Sequence, residues 1–192
     1  MKKGSKNSGH TLYTIGHSTR TLEEFIAILK AHGIQALADV RSIPRSRRVP
    51  QFNAETIEGD LAKENVKYVS LRQLGGLRKP RLDSPNQAWH NASFRGYADY
   101  MQTPEFEAGI EVLMATASKM PTAIMCAEAV PWRCHRSLIG DAMLARGWKV
   151  LDLMTEKSAK SHELTSFAKV SGRQVTYPAE SATSDSGSAG CD

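Results

Sequence analysis

The sequence predicts an α/β fold, a Rossmann-like three-layer sandwich in which a mainly parallel sheet of about five strands is covered by helices on both faces. Three observations lead to this prediction. Short apolar runs rich in β-branched residues alternate with segments whose apolar residues recur at helical spacing. Gly or Pro stands near many of the borders. The segments between successive strand runs are long enough for the right-handed crossovers that parallel strands require.

Five short runs are predicted as strands because they are apolar, contain β-branched or aromatic residues and end near turn-forming residues. Gly16 follows the first run, and Gly33 and Gly147 end the helices that precede the second and the last. In chain order the five runs cover residues 12–15, 35–40, 66–71, 123–126 and 148–153.

The first helix is predicted to begin after Thr21, because Thr21 and Glu24 have the spacing of a capping box. The second is predicted to start near Asn53 and to turn Ile57 and Leu61 inward. The residues that share the core face of the first helix are Leu22, Phe25, Ile26 and Leu29.

Helical spacing resumes over residues 94–101, and Thr103 followed by Pro104 predicts that a new helix starts there. A last helix is predicted over residues 134–146, directly after the fourth strand. The core face of the helix that starts at Pro104 contains Phe106, Ile110, Leu113 and Met114.

Length and composition indicate one compact domain. The chain has 192 residues, 41% of them apolar, which suits an ordinary core and not a disordered or fibrous protein. We expect a flexible segment at 1–10 and a single domain at 11–178. The stretch 179–192 is rich in Ser, Ala and Gly, so a disordered tail is expected there.

The sequence also predicts a soluble, cytoplasmic protein with no membrane partner. No apolar run approaches the ~20 residues that span a bilayer, and residues 1–10 lack the apolar core of a signal peptide. Three cysteines are too few for a disulfide scaffold in a chain of this length. We therefore expect Cys126, Cys134 and Cys191 to be reduced.

The formal net charge of +5 is unevenly distributed. Two stretches, 41–48 and 67–81, carry basic residues and no acidic residue. Such a patch either contacts an anion or a nucleic-acid backbone, or is a solvated basic loop. The basic residues concerned include Arg41, Arg45, Arg47 and Arg48 in the first stretch and Arg72, Arg78, Lys79 and Arg81 in the second.

Residues capable of chemistry follow the ends of four predicted strands. In an open parallel sheet, ligands bind in the crevice beyond the carboxyl ends of the strands. The four segments are therefore expected to line one cleft. They are Gly16 to Ser18, Asp39 to Ser42, the loop with Gly75 and Gly76, and Cys126 to Glu128.

Five ordered motifs in this chain resemble those of the DUF488 family, over roughly residues 12–178. The resemblance implies a Rossmann-like α/β domain with a shared pocket, and it implies no established reaction. The motifs are Thr14-Ile-Gly-His17-Ser18, Asp39-Val-Arg41 with Pro44 and Ser46, Leu74-Gly-Gly76, Phe94-Arg-Gly-Tyr97-Ala-Asp99-Tyr100-Met101, and Cys126-Ala-Glu128 with Cys134-His135-Arg136.

Cys134 is the better placed of the two candidate nucleophiles. It falls near the start of a predicted helix, where free backbone N–H groups and the helix dipole favour a thiolate, and His135 and Arg136 add positive charge. Cys126 ends an apolar strand, where a buried structural cysteine is common, and a packing role is open for both. Glu128 and His135 are the candidate proton carriers, and Arg136 with the helix N-terminus is a candidate anion site.

His17 is a further catalytic candidate, as a base, a ligand or an anion contact, unless it only caps the following turn. Ser18 serves either the turn or the substrate. Asp39 and Arg41 alternate around Val40, so their side chains leave one face of the strand and can form an ion pair. Arg41 can instead bind a phosphate or carboxylate.

The remaining substrate-binding candidates are Gly75, Gly76 and Tyr97. The glycines belong to a loop that forms another wall of the expected cleft. Tyr97 belongs to an aromatic set that either packs in the core or stacks on bases. The other members of the set are Trp89, Phe94, Tyr100 and Trp132.

Three familiar sites are disfavoured. Arg133 comes one position too late after Cys126 for a tyrosine-phosphatase loop, and that loop also lacks glycine. Adjacent residues of a helix, such as Cys134 and His135, point about 100° apart, which is awkward for one tetrahedral metal ion. A zinc site is therefore disfavoured and no metal site is predicted. The residues available for such a site are Cys126, Cys134, His135 and His17. Neither glycine-rich nucleotide motif occurs, and the sequence identifies no cofactor.

Taken together, these residues predict an enzyme that acts on an anionic substrate at the carboxyl edge of the sheet. The enzyme class they suggest is a Cys/His-dependent hydrolase or transferase. The substrate would be a phosphate-bearing small molecule or a nucleic acid. Two alternatives stay open: a nucleic-acid-binding module without catalysis, and a metal-binding protein. Oligomeric state is not predicted.

Overall fold

A six-stranded, mostly parallel sheet with helices on both faces forms the centre of the computed structural model, which describes residues 9–179. The predicted Rossmann-like α/β class is thereby confirmed. The strands of the large sheet are β1 (Thr11–Gly16), β2 (Ala36–Asp39), β3 (Lys67–Ser70), β4 (Thr122–Cys126), β5 (Lys149–Thr155) and β6 (Ser158–Ser161). They are arranged in the order β3-β2-β4-β1-β5-β6, and β6 alone is antiparallel to its neighbour.

Within residues 9–179, five α-helices flank the sheet, and two of them begin at the predicted capping residues. Thr21 and Glu24 form the predicted capping box, and the Thr103 side chain accepts the N–H of Phe106. Asn53 does precede the second helix, but its side chain accepts the N–H of Ser46 instead of capping the helix. The helices are α1 (Leu22–Ala31), α2 (Ala54–Lys63), α3 (Ala92–Tyr100), α4 (Pro104–Ala117) and α5 (Arg136–Leu144).

The core has two halves, one on each face of the sheet, because successive residues of a strand point to opposite faces. In β4, Ala123 and Met125 pack with α1 and α2, whereas Ile124 and Cys126 pack with α3, α4 and α5. Cys126 therefore lies on the same face as α5 and the residues that precede it.

A C-terminal segment that the sequence did not predict returns to the core. It contains β6 and a hairpin of β7 (Lys169–Ser171) and β8 (Gln174–Thr176), strands too short and too exposed to show an apolar pattern. Tyr177 anchors the end of this segment, because its hydroxyl donates to the buried carboxylate of Asp141 across 2.8 Å.

The expectations for the two chain ends lie largely outside the described residues, which exclude 1–8 and 180–192. His10 is described, and its ring stacks on Trp148 with the centroids 4.8 Å apart. Among residues 9–179, no helix combines the length and the apolar character that crossing a membrane requires.

Candidate active site

A pocket of about 400 Å³ opens at the carboxyl ends of β2 and β4. The loop after β2 leads to α2 on one face of the sheet, and the loop after β4 leads to α5 on the other, so a crevice forms between them. The polar and charged residues that line it are Arg41, Ser42, Ser93, Glu128, Arg133, Cys126, Cys134 and His135. The apolar and aromatic residues of its wall are Ile43, Leu77, Phe94, Tyr97 and Ala127, with Gly76 beside them.

His135 is held between a backbone carbonyl and two thiols. Its Nε2 lies 2.9 Å from the carbonyl oxygen of Val40, which can only accept a hydrogen bond. In the neutral ring, Nε2 therefore carries the proton and Nδ1 presents a lone pair. Nδ1 lies 3.6 Å from Cys134 Sγ and 3.9 Å from Cys126 Sγ.

The three side chains converge because Cys134 is not part of the helix. Its backbone is extended, with φ −141° and ψ 148°, whereas His135 has helical angles and α5 begins only at Arg136. The separation of about 100° predicted for the side chains of Cys134 and His135 applies only within a helix, so that prediction is wrong here. The two sulfur atoms and the imidazole nitrogen all lie within 4.8 Å of one another.

The two thiols differ in acidity. The pKa of Cys134 is lowered to about 7, chiefly by a hydrogen bond from the Cys126 thiol and further by the charge and the backbone N–H of Arg136, although burial opposes the shift. The Arg136 N–H lies 3.5 Å from Cys134 Sγ, so a free amide at the start of α5 reaches the sulfur. That same Cys126–Cys134 hydrogen bond, together with burial, raises the pKa of Cys126 to about 12.

Arg41 is engaged by a structural ion pair. Its guanidinium donates to Asp39 through Nε at 2.8 Å and Nη2 at 2.6 Å, and Nη2 also donates to the carbonyl of Phe52 at 2.7 Å. The Tyr68 hydroxyl donates to the same carboxylate. Asp39 and Arg41 do face the same way, as the alternation predicts, and their pairing leaves Arg41 little capacity to bind a substrate anion.

His17 supports this pair from behind the pocket. Nδ1 lies 3.0 Å from the carbonyl oxygen of Ser18, and Nε2 lies 3.3 Å from Nη1 of Arg41. The ring is buried and stacks on Phe52, and burial lowers its pKa to about 4. His17 is therefore neutral near pH 7, both of its nitrogens have partners, and it does not line the pocket. Ser18 lies in the turn after β1 with a positive φ of 48°, and it does not line the pocket.

The Arg136 side chain also points away from the pocket, into the core, where it binds the backbone of the loop that forms one wall of the pocket. Its Nη2 donates to the carbonyl oxygen of Glu128 at 2.8 Å, and its Nη1 lies 3.3 Å from the hydroxyl of Thr14. Gly16 approaches the same carbonyl, and a Cβ on Gly16 would lie 1.8 Å from it. The backbone of Glu128 is thus clamped, while its exposed side chain lines the pocket.

The glycine loop packs against the thiol cluster. A Cβ added to Gly76 would lie 3.0 Å from Nδ1 of His135, so this position allows close approach to the ring. Gly75 packs on Ser42, whose hydroxyl donates to the Gly76 carbonyl at 2.9 Å. This bond joins the two basic stretches at the pocket.

The aromatic residues are mainly packing groups. Tyr97 is buried, with its ring centroid 5.0 Å from that of His135, and its hydroxyl donates to the carbonyl of Leu74 at 2.7 Å. Trp89 stacks on Phe94 with the centroids 4.7 Å apart. Trp132 is 62% exposed and lies outside this pocket.

Sequence reasoning missed the group that orients His135. The Val40 carbonyl is a backbone atom far away in the chain, and no residue pattern identifies it. Leu77 was missed as well; it is 80% exposed at the pocket and has a positive φ of 58°.

A family model described as "Domain of unknown function DUF488" matches residues 21–143, which include the whole thiol cluster and the pocket lining but neither His17 nor the C-terminal strands. No curated protein and no solved structure matches.

Proposed function

Since this chain belongs to the DUF488 family, whose description assigns no activity, we propose a function from the pocket: it is a metal-dependent hydrolytic enzyme in which Cys126, Cys134 and His135 bind a zinc-class ion. One observation carries the proposal. His135 directs Nδ1 at two thiols, at 3.6 and 3.9 Å, while Nε2 faces the Val40 carbonyl at 2.9 Å.

The donor set suits zinc. Thiolate and imidazole are the ligands that select Zn²⁺ over hard cations such as Mg²⁺ and Ca²⁺. A histidine that binds a metal almost always donates its other N–H to a carbonyl or carboxylate, which is the role of Val40 here. Both ligand type and outer support are therefore in place.

The distances also fit. With Zn–S of ~2.3 Å and Zn–N of ~2.0 Å, a tetrahedral ion places sulfur and nitrogen about 3.5 Å apart. The two N···S distances of 3.6 and 3.9 Å lie close to that value. Three protein ligands leave a fourth position for water, as in catalytic and not structural zinc sites.

The surroundings provide the other needs of a hydrolase. The cluster borders a pocket of about 400 Å³, within the range that small ligands occupy. A bound zinc ion supplies a nucleophile at neutral pH by lowering the pKa of its water to ~7. Glu128 lines the same pocket and is the candidate proton carrier.

Metal analysis of the full chain, purified without a tag, tests the proposal. We expect about one zinc per chain, and loss of that metal in Cys126→Ser and in Cys134→Ser. Cys191→Ser is the matched control, because Cys191 is the remaining cysteine of the sequence and is not one of the proposed ligands, so this variant should keep the metal. Metal content that is unaffected by all three substitutions would exclude this centre.

A second candidate is a thiolate enzyme with Cys134 as the nucleophile. The N–H of Arg136, 3.5 Å from Cys134 Sγ, favours it, since a helix N-terminal amide stabilises a thiolate. Metal-free protein should then be alkylated by iodoacetamide fastest at Cys134, and substrate-like anions should protect it. Equally slow alkylation of Cys126 and Cys134 would exclude Cys134 as a nucleophile.

A phosphate-bearing ligand or nucleic acid remains a prediction for the substrate. Because the guanidinium groups of Arg41 and Arg136 are engaged inside the protein, the phosphate contact would fall to exposed residues such as Arg133 and the 41–48 loop. Binding of labelled DNA or RNA should then weaken steeply with salt. Absence of binding at low salt would rule out nucleic acid.

A further inference from the structure

We infer that the protein deaminates a flat, amino-substituted nitrogen heterocycle by hydrolysis in this pocket, with Glu128 as the proton carrier. The inference rests on the proposed metal centre and names its substrate class. It starts from the position of Glu128, two residues after the ligand Cys126 and in the lining of the same pocket.

The structure holds the backbone of Glu128 in place and leaves its carboxylate free of hydrogen bonds to the rest of residues 9–179. Arg136 and the close approach of Gly16 clamp the carbonyl oxygen of Glu128 on the core side. The side chain is exposed on the pocket side and is not part of the donor cluster of Cys126, Cys134 and His135. A carboxylate that lines the same pocket as the donor cluster, without belonging to it, would be suited to carry protons if the cluster held a metal ion.

The walls suit a flat and uncharged group. Half-buried Phe94 contributes an aromatic ring to the lining, and the buried ring of Tyr97 supports the wall from behind, where its hydroxyl is occupied by the Leu74 carbonyl. Exposed Ile43 and Leu77 extend the apolar lining. An aromatic ring such as Phe94 stacks on planar heterocycles regardless of their substituents, and aliphatic side chains pack against the ring faces.

Charge in the pocket favours a ligand with N–H donors. Of the two arginines that line it, Arg41 is paired with Asp39 and Arg133 is exposed to solvent. Glu128 adds a negative charge. A carboxylate or phosphate deep in the pocket would therefore meet no free arginine, whereas an amino group and a ring N–H would meet the Glu128 carboxylate as a hydrogen-bond acceptor.

The proposed ligand set of one histidine and two cysteines, with a nearby glutamate that is not a ligand, matches the arrangement found in zinc-dependent deaminases. Zinc deaminases of nucleobases bind the ion through one histidine and two cysteines and use a glutamate that is not a ligand. Water adds through its oxygen to the ring carbon that bears the amino group, forming a C–O bond. Glu128 passes the proton of the water to the ring nitrogen, and the second proton leaves with the amino group. The C–N bond breaks, ammonia departs and a ring carbonyl remains, with no change in redox state.

The test uses the full chain loaded with zinc and a panel of amino-substituted pyrimidines and purines. Each heterocycle is supplied as free base, nucleoside and 5′-monophosphate, so that the panel reveals whether a phosphate contributes. Ammonia release is measured together with the change in ultraviolet absorbance. We expect release from at least one heterocycle.

Two variants make the test specific. Glu128→Gln should keep its zinc and still bind the same heterocycle by calorimetry, yet release ammonia at least about 100-fold more slowly. Glu111→Gln, an exposed carboxylate on α4, is the matched control and should react like the parent. Equal rates in Glu128→Gln and the parent would overturn the role of Glu128.

The outcomes separate the two proposals. Zinc-loaded protein that releases ammonia from no member of the panel overturns the deamination and leaves the metal centre standing. Protein that binds no metal through Cys126, Cys134 and His135 overturns both.

Discussion

His135 donates through Nε2 to the carbonyl oxygen of Val40 across 2.9 Å, and this bond decides what the rest of the imidazole can do. It leaves Nδ1 as an acceptor in the neutral ring, directed at Cys126 and Cys134. The loop after β2 thereby orients a side chain that belongs to the loop after β4.

Replacing His135 with Ala should weaken zinc binding by at least about 100-fold, because one of three ligands and the outer support of Val40 are lost together. Competition with a chelator of known affinity measures the change, and circular dichroism checks that the fold is kept. His90→Ala, at an exposed histidine outside the pocket, should bind zinc like the parent. Parent-like affinity in His135→Ala would remove His135 from the centre.

Gly16→Ala should destabilise the protein by about 2 kcal/mol or more, since its Cβ would lie 1.8 Å from the Glu128 carbonyl oxygen and the backbone has to move. Gly59→Ala is the control, because nothing lies within 4 Å of a Cβ there and Gly59 is inside α2. It should stabilise by about 0.5–1 kcal/mol. Urea unfolding measures both, and a neutral effect of Gly16→Ala would contradict the clamp.

Asp39→Asn should cost about 3 kcal/mol, because it leaves the buried guanidinium of Arg41 without its counter-charge. Asp83→Asn breaks the exposed pair with Arg81 and should cost less than about 1 kcal/mol. The comparison of the two free energies of unfolding tests whether the Asp39–Arg41 pair is structural. A small change in the free energy of unfolding of Asp39→Asn would mean that the pair is not structural and that Arg41 is available to bind a substrate anion.

The contribution of His162 to the free energy of unfolding should be lost as the pH rises from about 6.5 through about 9. Hydrogen bonds and charge from Asp141 and Asp152 raise the pKa of His162 from 6.5 to about 9 against the effect of burial. The folded state therefore holds the proton more tightly than the unfolded state, and the resulting stabilisation, on the order of 3 kcal/mol, is complete below about pH 6.5 and lost above about pH 9.

The His162 contribution is isolated by comparing His162→Gln with the parent. The thiol of Cys134, whose pKa is lowered, acts in the opposite direction, gaining stability as the pH rises above about 7, and it is common to both proteins. The stability difference between parent and variant should shrink toward high pH. A difference that stays constant between about pH 6 and about pH 9.5 would contradict the assignment.

Most of the fold was predictable because its signals are local. The capping box of Thr21 and Glu24 and the Thr103-Pro104 start act within one helical turn, and the apolar runs reflect burial on both faces of a parallel sheet. β6, β7 and β8 were missed because their stability comes from contacts such as Tyr177 with Asp141, which no local pattern encodes.

The candidate site was predictable in place but not in detail. Strand periodicity and the carboxyl-edge rule located Cys126, Glu128, Cys134 and His135 together, and the pocket brings them together. Arg136 was placed near the substrate by its position at a helix start, yet its side chain runs into the core to Glu128 and Thr14. Position along a helix does not determine where a long side chain ends.

The sequence alone determined that Cys126 to Arg136 forms one wall of a crevice at the sheet edge, because strand and helix periods are properties of neighbouring residues. Only the tertiary structure decided that the two thiols and His135 form one donor cluster. That outcome depends on the extended backbone of Cys134 and on a carbonyl 95 positions away in the chain, and both are set by packing between distant segments.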